Sequence, residues 1–184
     1  MLASPFTEVI KAGQKVLRSS RFQVYGDHDI IGAELEGDLK NIIALAAGVL
    51  GGKGLGKNIW ALLVTRGLSE MIHIGKAVGT DIKPFLGIAG IGDLVATASS
   101  EKSRNYKAGY LLGKGESIET IIEQSTDVIE GLKTLETIKA LVDNLGISAP
   151  IIEVLYRVFF KQMDIDNAIQ VLVTYKYAVD VDFL

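Results

Sequence analysis

The stretch Ile31-Gly-Ala-Glu-Leu-Glu-Gly-Asp-Leu-Lys-Asn-Ile-Ile-Ala-Leu-Ala-Ala-Gly-Val-Leu50 decides the fold. Its polar residues Glu34, Asp38 and Asn41 fall on one stripe of a helix, and the residues from Ile42 onward are almost continuously apolar. A helix that is apolar on nearly every side is buried by its neighbours on most sides. The stretch therefore predicts one long, largely buried helix.

The remaining sequence is also helical in pattern, and no convincing strand follows Asp27. Apolar residues recur at helical spacing between breaks at glycine and proline. Gly87 to Asn105 is predicted to be a loop with short helices around it. The fold class predicted is all-α, a multi-helix bundle. Its further helices are expected at Asn58 to about Val78, Ile82 to Leu86, Asn105 to Leu112, Ser117 or Glu119 to Glu123, Gly131 to Asn144, Pro150 to Phe160, and Asp164 to Tyr175.

Residues 1–26 differ in pattern from the rest of the chain. Ser4-Pro5 has the pattern of a helix start, and Arg21 to Tyr25 alternates like a short strand that Gly26 closes. One helix and one strand cannot bury their apolar faces alone. Residues 1–26 are therefore interpreted as the last helix and strand of a sheet domain whose earlier part is absent, and residues 27–184 as a separate helical domain.

Composition excludes several classes of protein. The chain has 184 residues, a net charge of −3 and no cysteine. The charge argues against a general nucleic-acid binder, and the missing cysteines exclude disulfides, thiolate zinc sites and cysteine nucleophiles. No apolar run approaches the roughly 20 residues of a membrane span. The N-terminus lacks a signal peptide pattern, so a cytoplasmic location is expected.

The segment from Gly90 to Tyr106 contains the parts of an anion site. Ser103 can cap a helix whose first turn carries Arg104 and Asn105. Unpaired backbone N–H groups at a helix start bind phosphate, and a guanidinium adds a fork of donors. The alternative is an ordinary capped helix with a solvated arginine.

Two further charged groups have more than one interpretation. Lys40 lies just before the apolar part of its helix, where partial desolvation would suit it to general acid–base chemistry. The alternative is a surface lysine at the helix edge, or a partner for Glu36 four residues earlier. Asp93 could cap a helix. Arg66 and Glu70, four residues apart in an apolar helix, are predicted to form an ion pair.

The glycine-rich segments do not indicate a nucleotide site. Residues 51–56 and 87–92 are dense in glycine, but neither gives Gly-x-Gly-x-x-Gly after a strand or a Walker A sequence. Each is interpreted as a helix end or connection. The chain therefore has no dinucleotide fingerprint of its own.

Four motifs, taken in order, resemble one family. They are Glu34-Leu-Glu-Gly-Asp-Leu-Lys-Asn-Ile-Ile43, Thr65-Arg-Gly-Leu-Ser-Glu-Met71, Gly87-Ile-Ala-Gly-Ile-Gly-Asp-Leu94 and Ser103-Arg-Asn105. Together they are similar to the C-terminal substrate domain of NAD(P)-dependent glycerol-3-phosphate dehydrogenase. The resemblance implies a helical fold of the type found in the C-terminal domain of 6-phosphogluconate dehydrogenase. It also implies that residues 1–26 are the end of a Rossmann domain.

The resemblance implies a role for individual residues. Lys40 would be the catalytic lysine, exchanging a proton with the C2 oxygen of the substrate while hydride moves to or from NAD or NADP. The substrate-binding residues would be Lys40, Asp93, Ser103, Arg104 and Asn105, and the cofactor-binding residues Arg104, Val128 and Glu130. Thr97, on the same loop as Asp93, and Asn41, beside Lys40, are weaker candidates.

The resemblance also sets limits on what this chain does. Glycerol 3-phosphate and dihydroxyacetone phosphate would be interconverted, supplying phospholipid synthesis, but a chain without most of the nucleotide domain is expected to be inactive alone. A homodimer is a candidate assembly. The alternatives are the helical domain of another 3-hydroxy-acid-type dehydrogenase and a non-catalytic helical dimerisation module. The second alternative predicts that Lys40 lies far from Asp93 and Arg104.

Overall fold

The computed structural model describes residues 1–125 and 127–176, and in these ranges it is built almost entirely of helices. The predicted all-α class is confirmed. Two short strands are β1 (Leu2–Ala3) and β2 (Gly26–Asp27). The α-helices are α1 (Thr7–Leu17), α2 (Ile30–Gly52), α3 (Lys57–Ala77), α4 (Lys83–Leu86), α5 (Asp93–Ala98), α6 (Arg104–Gly113), α7 (Ile118–Gln124), α8 (Glu130–Leu145), α9 (Pro150–Phe160) and α10 (Ile165–Thr174).

Residues 2–27 form a small β-α-β unit. β1 pairs in parallel with β2, Leu2 opposite Gly26, and α1 connects them. The strand predicted at Arg21 to Tyr25 is wrong, because the ladder begins only at Gly26. The carbonyl of Val24 instead accepts hydrogen bonds from the side chains of Gln14 and Arg18 on α1. The strand segment is thus shortened by contacts with its own helix.

The start of α1 also differs from the prediction. The helix begins at Thr7, two residues after Pro5. The hydroxyl of Ser4 accepts a hydrogen bond from the backbone N–H of Phe6, which holds the chain in a turn before the helix. Only Ile10 of α1 is buried, so most of its apolar face is exposed.

The long helix α2 is the centre of the core, as its apolar sequence predicts. Ile42 and Leu45 are fully buried, and so are most of their neighbours toward the C-terminal end. The carboxylate of Asp29 accepts from the N–H of Gly32 and caps the helix start. Helices α3, α5, α6 and α8 pack around α2. Side chains attached to α2 are therefore fixed in position by the core.

Helices α2 and α6 approach so closely that their backbones touch. A Cβ atom added at Gly48 would lie 2.0 Å from the carbonyl oxygen of Tyr106, and one added at Gly109 would lie 2.0 Å from that of Leu45. No larger residue fits at either position without moving a helix backbone. The start of α6 is therefore held at a fixed place beside α2.

The loop predicted from Gly87 to Asn105 is wrong over much of its length. Residues Ile88–Gly92 form a π-helix, a form often found at functional sites, and it continues directly into α5. A Cβ atom at Gly90 would lie 2.1 Å from the carbonyl oxygen of Phe85. Glycine thus permits a close approach that keeps this segment helical, and Asp93 projects from a continuous helix.

Glu70 has a role in addition to the ion pair predicted with Arg66, which stays a prediction. Both of its carboxylate oxygens accept backbone hydrogen bonds at 2.9 Å, from the N–H groups of Ile151 and Ile152. Glu70 therefore caps the start of α9 from α3. Burial raises the pKa of Glu70 to about 7, and the two backbone hydrogen bonds oppose that rise. The sequence did not predict this role because the partners lie 81 and 82 residues away along the chain.

Candidate functional site

Lys40 and Asp93 form an ion pair that joins α2 to α5. The ammonium of Lys40 donates to the carboxylate of Asp93, with the Lys40 side chain 21% exposed and that of Asp93 42% exposed. The other carboxylate oxygen accepts from the hydroxyl of Thr97 at 3.3 Å. Helix α2 supplies the lysine, and the π-helix and α5 together supply the aspartate. The pair is thus partly exposed to solvent and held by a second hydrogen bond.

Glu36 lies one helical turn before Lys40 and is 4% exposed. The interpretation of Lys40 as its partner is not what the structure shows, because the ion pair of Lys40 is formed with Asp93. Among the described residues, Oε2 of Glu36 has no hydrogen-bond partner. Burial raises the pKa of Glu36 to about 7; the nearby Lys40 charge lowers it and the Asp93 charge raises it.

The start of α6 forms as the sequence predicts. The hydroxyl of Ser103 accepts from the backbone N–H of Tyr106 at 3.3 Å and caps the helix. The guanidinium of Arg104 donates to the carboxylate of Glu130 at 3.2 Å, and both side chains are about half exposed. Arg104 is thus not the freely solvated arginine of the alternative interpretation.

Asn105 turns inward and links α6 to the start of α8. Its side-chain oxygen accepts from the backbone N–H of Gly131 at 2.9 Å in a buried setting. A Cβ atom at Gly131 would lie 2.9 Å from that oxygen and 2.9 Å from the carbonyl oxygen of Asn41 on α2. Three helices therefore meet at one point, defined by Asn41, Asn105 and Gly131.

Predicted site residues flank this meeting point in the sequence. In the sequence, Lys40 precedes Asn41, Arg104 precedes Asn105, and Glu130 precedes Gly131. The backbones that carry Lys40 and Arg104 are therefore linked through one residue of α8, and the convergence of the two side chains on one pocket stays a prediction. Asp38, two residues before Lys40, is close enough to Glu130 that burial, Glu34 and Glu130 all raise its pKa.

A groove of about 350 Å³ borders the arginine side of this region. Three cationic side chains line it, those of Lys102, Arg104 and Lys107, together with Asp127 and the apolar side chains of α6 and α7. Val128, a predicted cofactor contact, is 69% exposed near the same rim. The two lysines were missed by sequence reasoning, although both flank Ser103-Arg-Asn105 closely enough to have indicated a basic surface.

Metal-ligand clusters and membrane-spanning helices are both absent from the described residues. Within them no group of three or more His, Cys, Asp or Glu side chains could hold a metal ion. Their helices are too short or too polar for any to cross a membrane.

The fold is an all-α domain with a lysine–aspartate pair between α2 and α5 and a serine-capped helix start at α6. Residues 29–170 match the family described as NAD-dependent glycerol-3-phosphate dehydrogenase C-terminus. The match covers most of the chain, and the chain belongs to this family.

Relatives and solved structures agree with the family. The chain is 40% identical over 182 residues to the glycerol-3-phosphate dehydrogenase [NAD(P)+] of Saccharophagus degradans, covering 99% of this chain and 51% of that protein. It is 45% identical over 167 residues to the protein of the same name from Levilactobacillus brevis, covering 91% of this chain and 50% of that one. The chain thus spans about half the length of the curated relatives it matches.

The crystal structure of glycerol-3-phosphate dehydrogenase from Coxiella burnetii has the same fold. The two superpose with a TM-score of 0.89 at 35% identity, over 94% of this chain and 53% of that one. A second structure, from Plasmodium falciparum, gives a TM-score of 0.87 at 22% identity, which supports the fold alone. The helical class and the attached β-α-β unit are therefore shared with known proteins.

Proposed function

We propose that the chain is the substrate domain of an oxidoreductase that interconverts sn-glycerol 3-phosphate and dihydroxyacetone phosphate with NAD or NADP. The observation that carries the proposal is the Lys40–Asp93 pair. It is supported by Asn41, beside Lys40, and Asn105, beside Arg104, which both lie against Gly131. The product, glycerol 3-phosphate, would feed phospholipid synthesis. A cytoplasmic location and a homodimeric assembly are parts of the same proposal.

Lys40 is the catalytic residue in this proposal. When the C2 carbonyl is reduced, its ammonium donates a proton to the C2 oxygen, and in the reverse direction the amine removes that proton. Asp93 accepts from the ammonium and holds it in one orientation. Thr97 holds Asp93 in turn. The chain of contacts fixes the proton donor against the reacting carbon, which is the positioning that raises the rate.

The phosphate is bound at the start of α6 in this proposal. The first N–H groups of a helix lack intrahelical partners and carry the positive end of the helix dipole. Ser103 begins the helix, Arg104 adds a guanidinium, and Asn105 fixes the start against α8. Binding energy from the phosphate then orients a carbon several bonds away.

The cofactor would be held partly by Arg104, Val128 and Glu130. These residues fit such a group in their chemistry, because a half-exposed guanidinium can bind phosphate and a carboxylate can accept from ribose hydroxyls. The cofactor supplies the hydride when it is bound. Residues 1–26 are proposed to be the end of a nucleotide-binding domain and residues 27–184 the substrate domain.

Calorimetric titration of the purified chain with glycerol 3-phosphate tests the substrate site. We expect saturable binding, weakened at least tenfold in Lys40→Met and in Arg104→Ala. Lys133→Met, which removes an exposed lysine on α8, is the control and should bind like the unchanged chain. Equal affinity in Lys40→Met and Lys133→Met would refute the role of Lys40.

A comparison of ligands separates the proposal from a 3-hydroxy-acid dehydrogenase. That alternative needs a carboxylate site, so 3-hydroxybutyrate should bind at least as well as glycerol 3-phosphate. The phosphate site predicts the opposite order and a loss of the preference in Arg104→Ala. The non-catalytic dimerisation module is disfavoured by the contact between Lys40 and Asp93.

Turnover by the chain alone is not expected. With dihydroxyacetone phosphate and NADH or NADPH added, nicotinamide absorbance should stay constant, because the sequence holds no dinucleotide fingerprint. A steady fall in absorbance would show that these 184 residues suffice for catalysis.

A further inference from the structure

Glu36 is a buried acid that has no part in the proposed proton transfer. It lies four residues before Lys40 on α2, on the same helix face, and is 4% exposed. Within the described ranges its Oε2 atom is buried and accepts no hydrogen bond. An ionised carboxylate left in this state is costly, whereas a protonated one is not. The side chain is therefore suited to gain and lose a proton.

Three charged groups act on this carboxyl group. Lys40 acts from the same helix, Asp93 from α5, and the amino group of Met1 from the segment before β1. When Glu36 is ionised, it adds a second negative charge to the Lys40–Asp93 pair and leaves the three side chains with a net charge of −1. When Glu36 is protonated, the net charge of the same three side chains is zero.

We propose that Glu36 is a positioning residue whose protonation depends on the charges of the neighbouring Lys40–Asp93 pair. Glu36 then takes up a proton from solvent when a phosphorylated substrate binds. The inference about the substrate rests on the proposed function. The proton comes from solvent and forms an O–H bond at Oε2, and no bond to the substrate is made or broken. Neutralising Glu36 removes one repulsion between the site and an anionic phosphoester.

Carbon NMR of the Glu36 carboxyl group tests the coupling directly. We expect it to titrate near pH 7 in the unchanged chain, because burial raises its pKa to about 7. In Lys40→Met it should titrate at higher pH, since the ammonium that lowers the pKa is gone, and in Asp93→Asn at lower pH. The control Lys133→Met should leave it unchanged. If the Glu36 carboxyl group titrates at the same pH in Lys40→Met, in Asp93→Asn and in the unchanged chain, the proposal is wrong.

Calorimetry then tests proton uptake. Affinity for glycerol 3-phosphate is measured at pH 6 and pH 8 in the unchanged chain, in Glu36→Gln and in Glu34→Gln, a matched change at an exposed position of α2. The phosphate group titrates near pH 6 in all three, so only the difference between proteins matters. As the pH rises from 6 to 8, the unchanged chain and Glu34→Gln should each lose up to about tenfold more affinity than Glu36→Gln loses.

The outcomes separate the two proposals. The same pH dependence in Glu36→Gln and in the unchanged chain would overturn the inference about Glu36 while leaving the substrate site in place. Absence of binding in every protein would overturn the substrate assignment of this chain. The NMR titration would then decide whether Glu36 belongs to the Lys40–Asp93 cluster, since it needs no ligand.

Discussion

Replacing Glu70 by glutamine should flatten the pH dependence of folding stability. Glu70 is buried between α3 and α9, and its pKa is raised from the ordinary 4.5 to about 7, chiefly by burial. Between these two pH values the folded chain holds the proton and the unfolded chain does not. The free energy of unfolding therefore falls as the pH rises through this range.

The magnitude follows from the two pKa values. A difference of this size corresponds to about 2.5 kcal/mol of stability lost between pH 5 and pH 8. Glutamine has no proton to lose, so its contribution is the same at both pH values. It also keeps only one acceptor for two N–H groups, a loss of about 1–3 kcal/mol at either pH.

Urea denaturation at pH 5 and pH 8 measures the effect. The loss between the two pH values should be smaller in Glu70→Gln by about 2.5 kcal/mol than in the unchanged chain. Glu36, whose pKa is also raised to about 7, contributes in the same direction but is present in both proteins and cancels. Glu136→Gln, at an exposed position of α8, is the control. The same pH dependence in Glu70→Gln and Glu136→Gln would refute the reasoning.

Two further substitutions test the packing around the site. Gly90→Ala places a methyl group against the Phe85 carbonyl oxygen and should lower the free energy of unfolding, measured by urea denaturation, by about 1–3 kcal/mol. The control Gly87→Ala, where the nearest atom is 3.6 Å away, should lower it far less. Equal losses would contradict the close contact at Gly90. Asn105→Ala leaves the buried N–H of Gly131 without its acceptor and should cost about 1–3 kcal/mol. A loss no larger than that of a change at an exposed asparagine would show that this hydrogen bond is unimportant.

Helix ends were predictable where the signal is local. Ser103, Ser117 and Asp164 each cap the next helix, and each accepts from an N–H three residues later. Gly146 ends α8 with φ of 65°, a conformation that glycine adopts without strain. These features depend on a few adjacent residues, so the sequence indicated where they lie, although it left Ser117 and Glu119 as alternatives for the start of α7.

The features that were missed depend on distant contacts. Gly90 lies close to the carbonyl of Phe85 within the π-helix, and the pattern of residues 87–92 gives no sign of that approach. Glu70 was matched with its neighbour on the same helix because its partners on α9 lie far along the chain. The same limit applied to the site, where the motifs named the residues but only the structure brings Asn41 and Asn105 to one glycine.

The contact between the backbones of α2 and α6 has a mechanical consequence for any ligand. Because the two backbones touch at Gly48 and Gly109, a shift of either helix toward the other would cause steric overlap. The backbone positions of Lys40 and Arg104 are then held at a fixed distance from each other. In the proposed function, selection between longer and shorter phosphoesters would then depend on main-chain spacing.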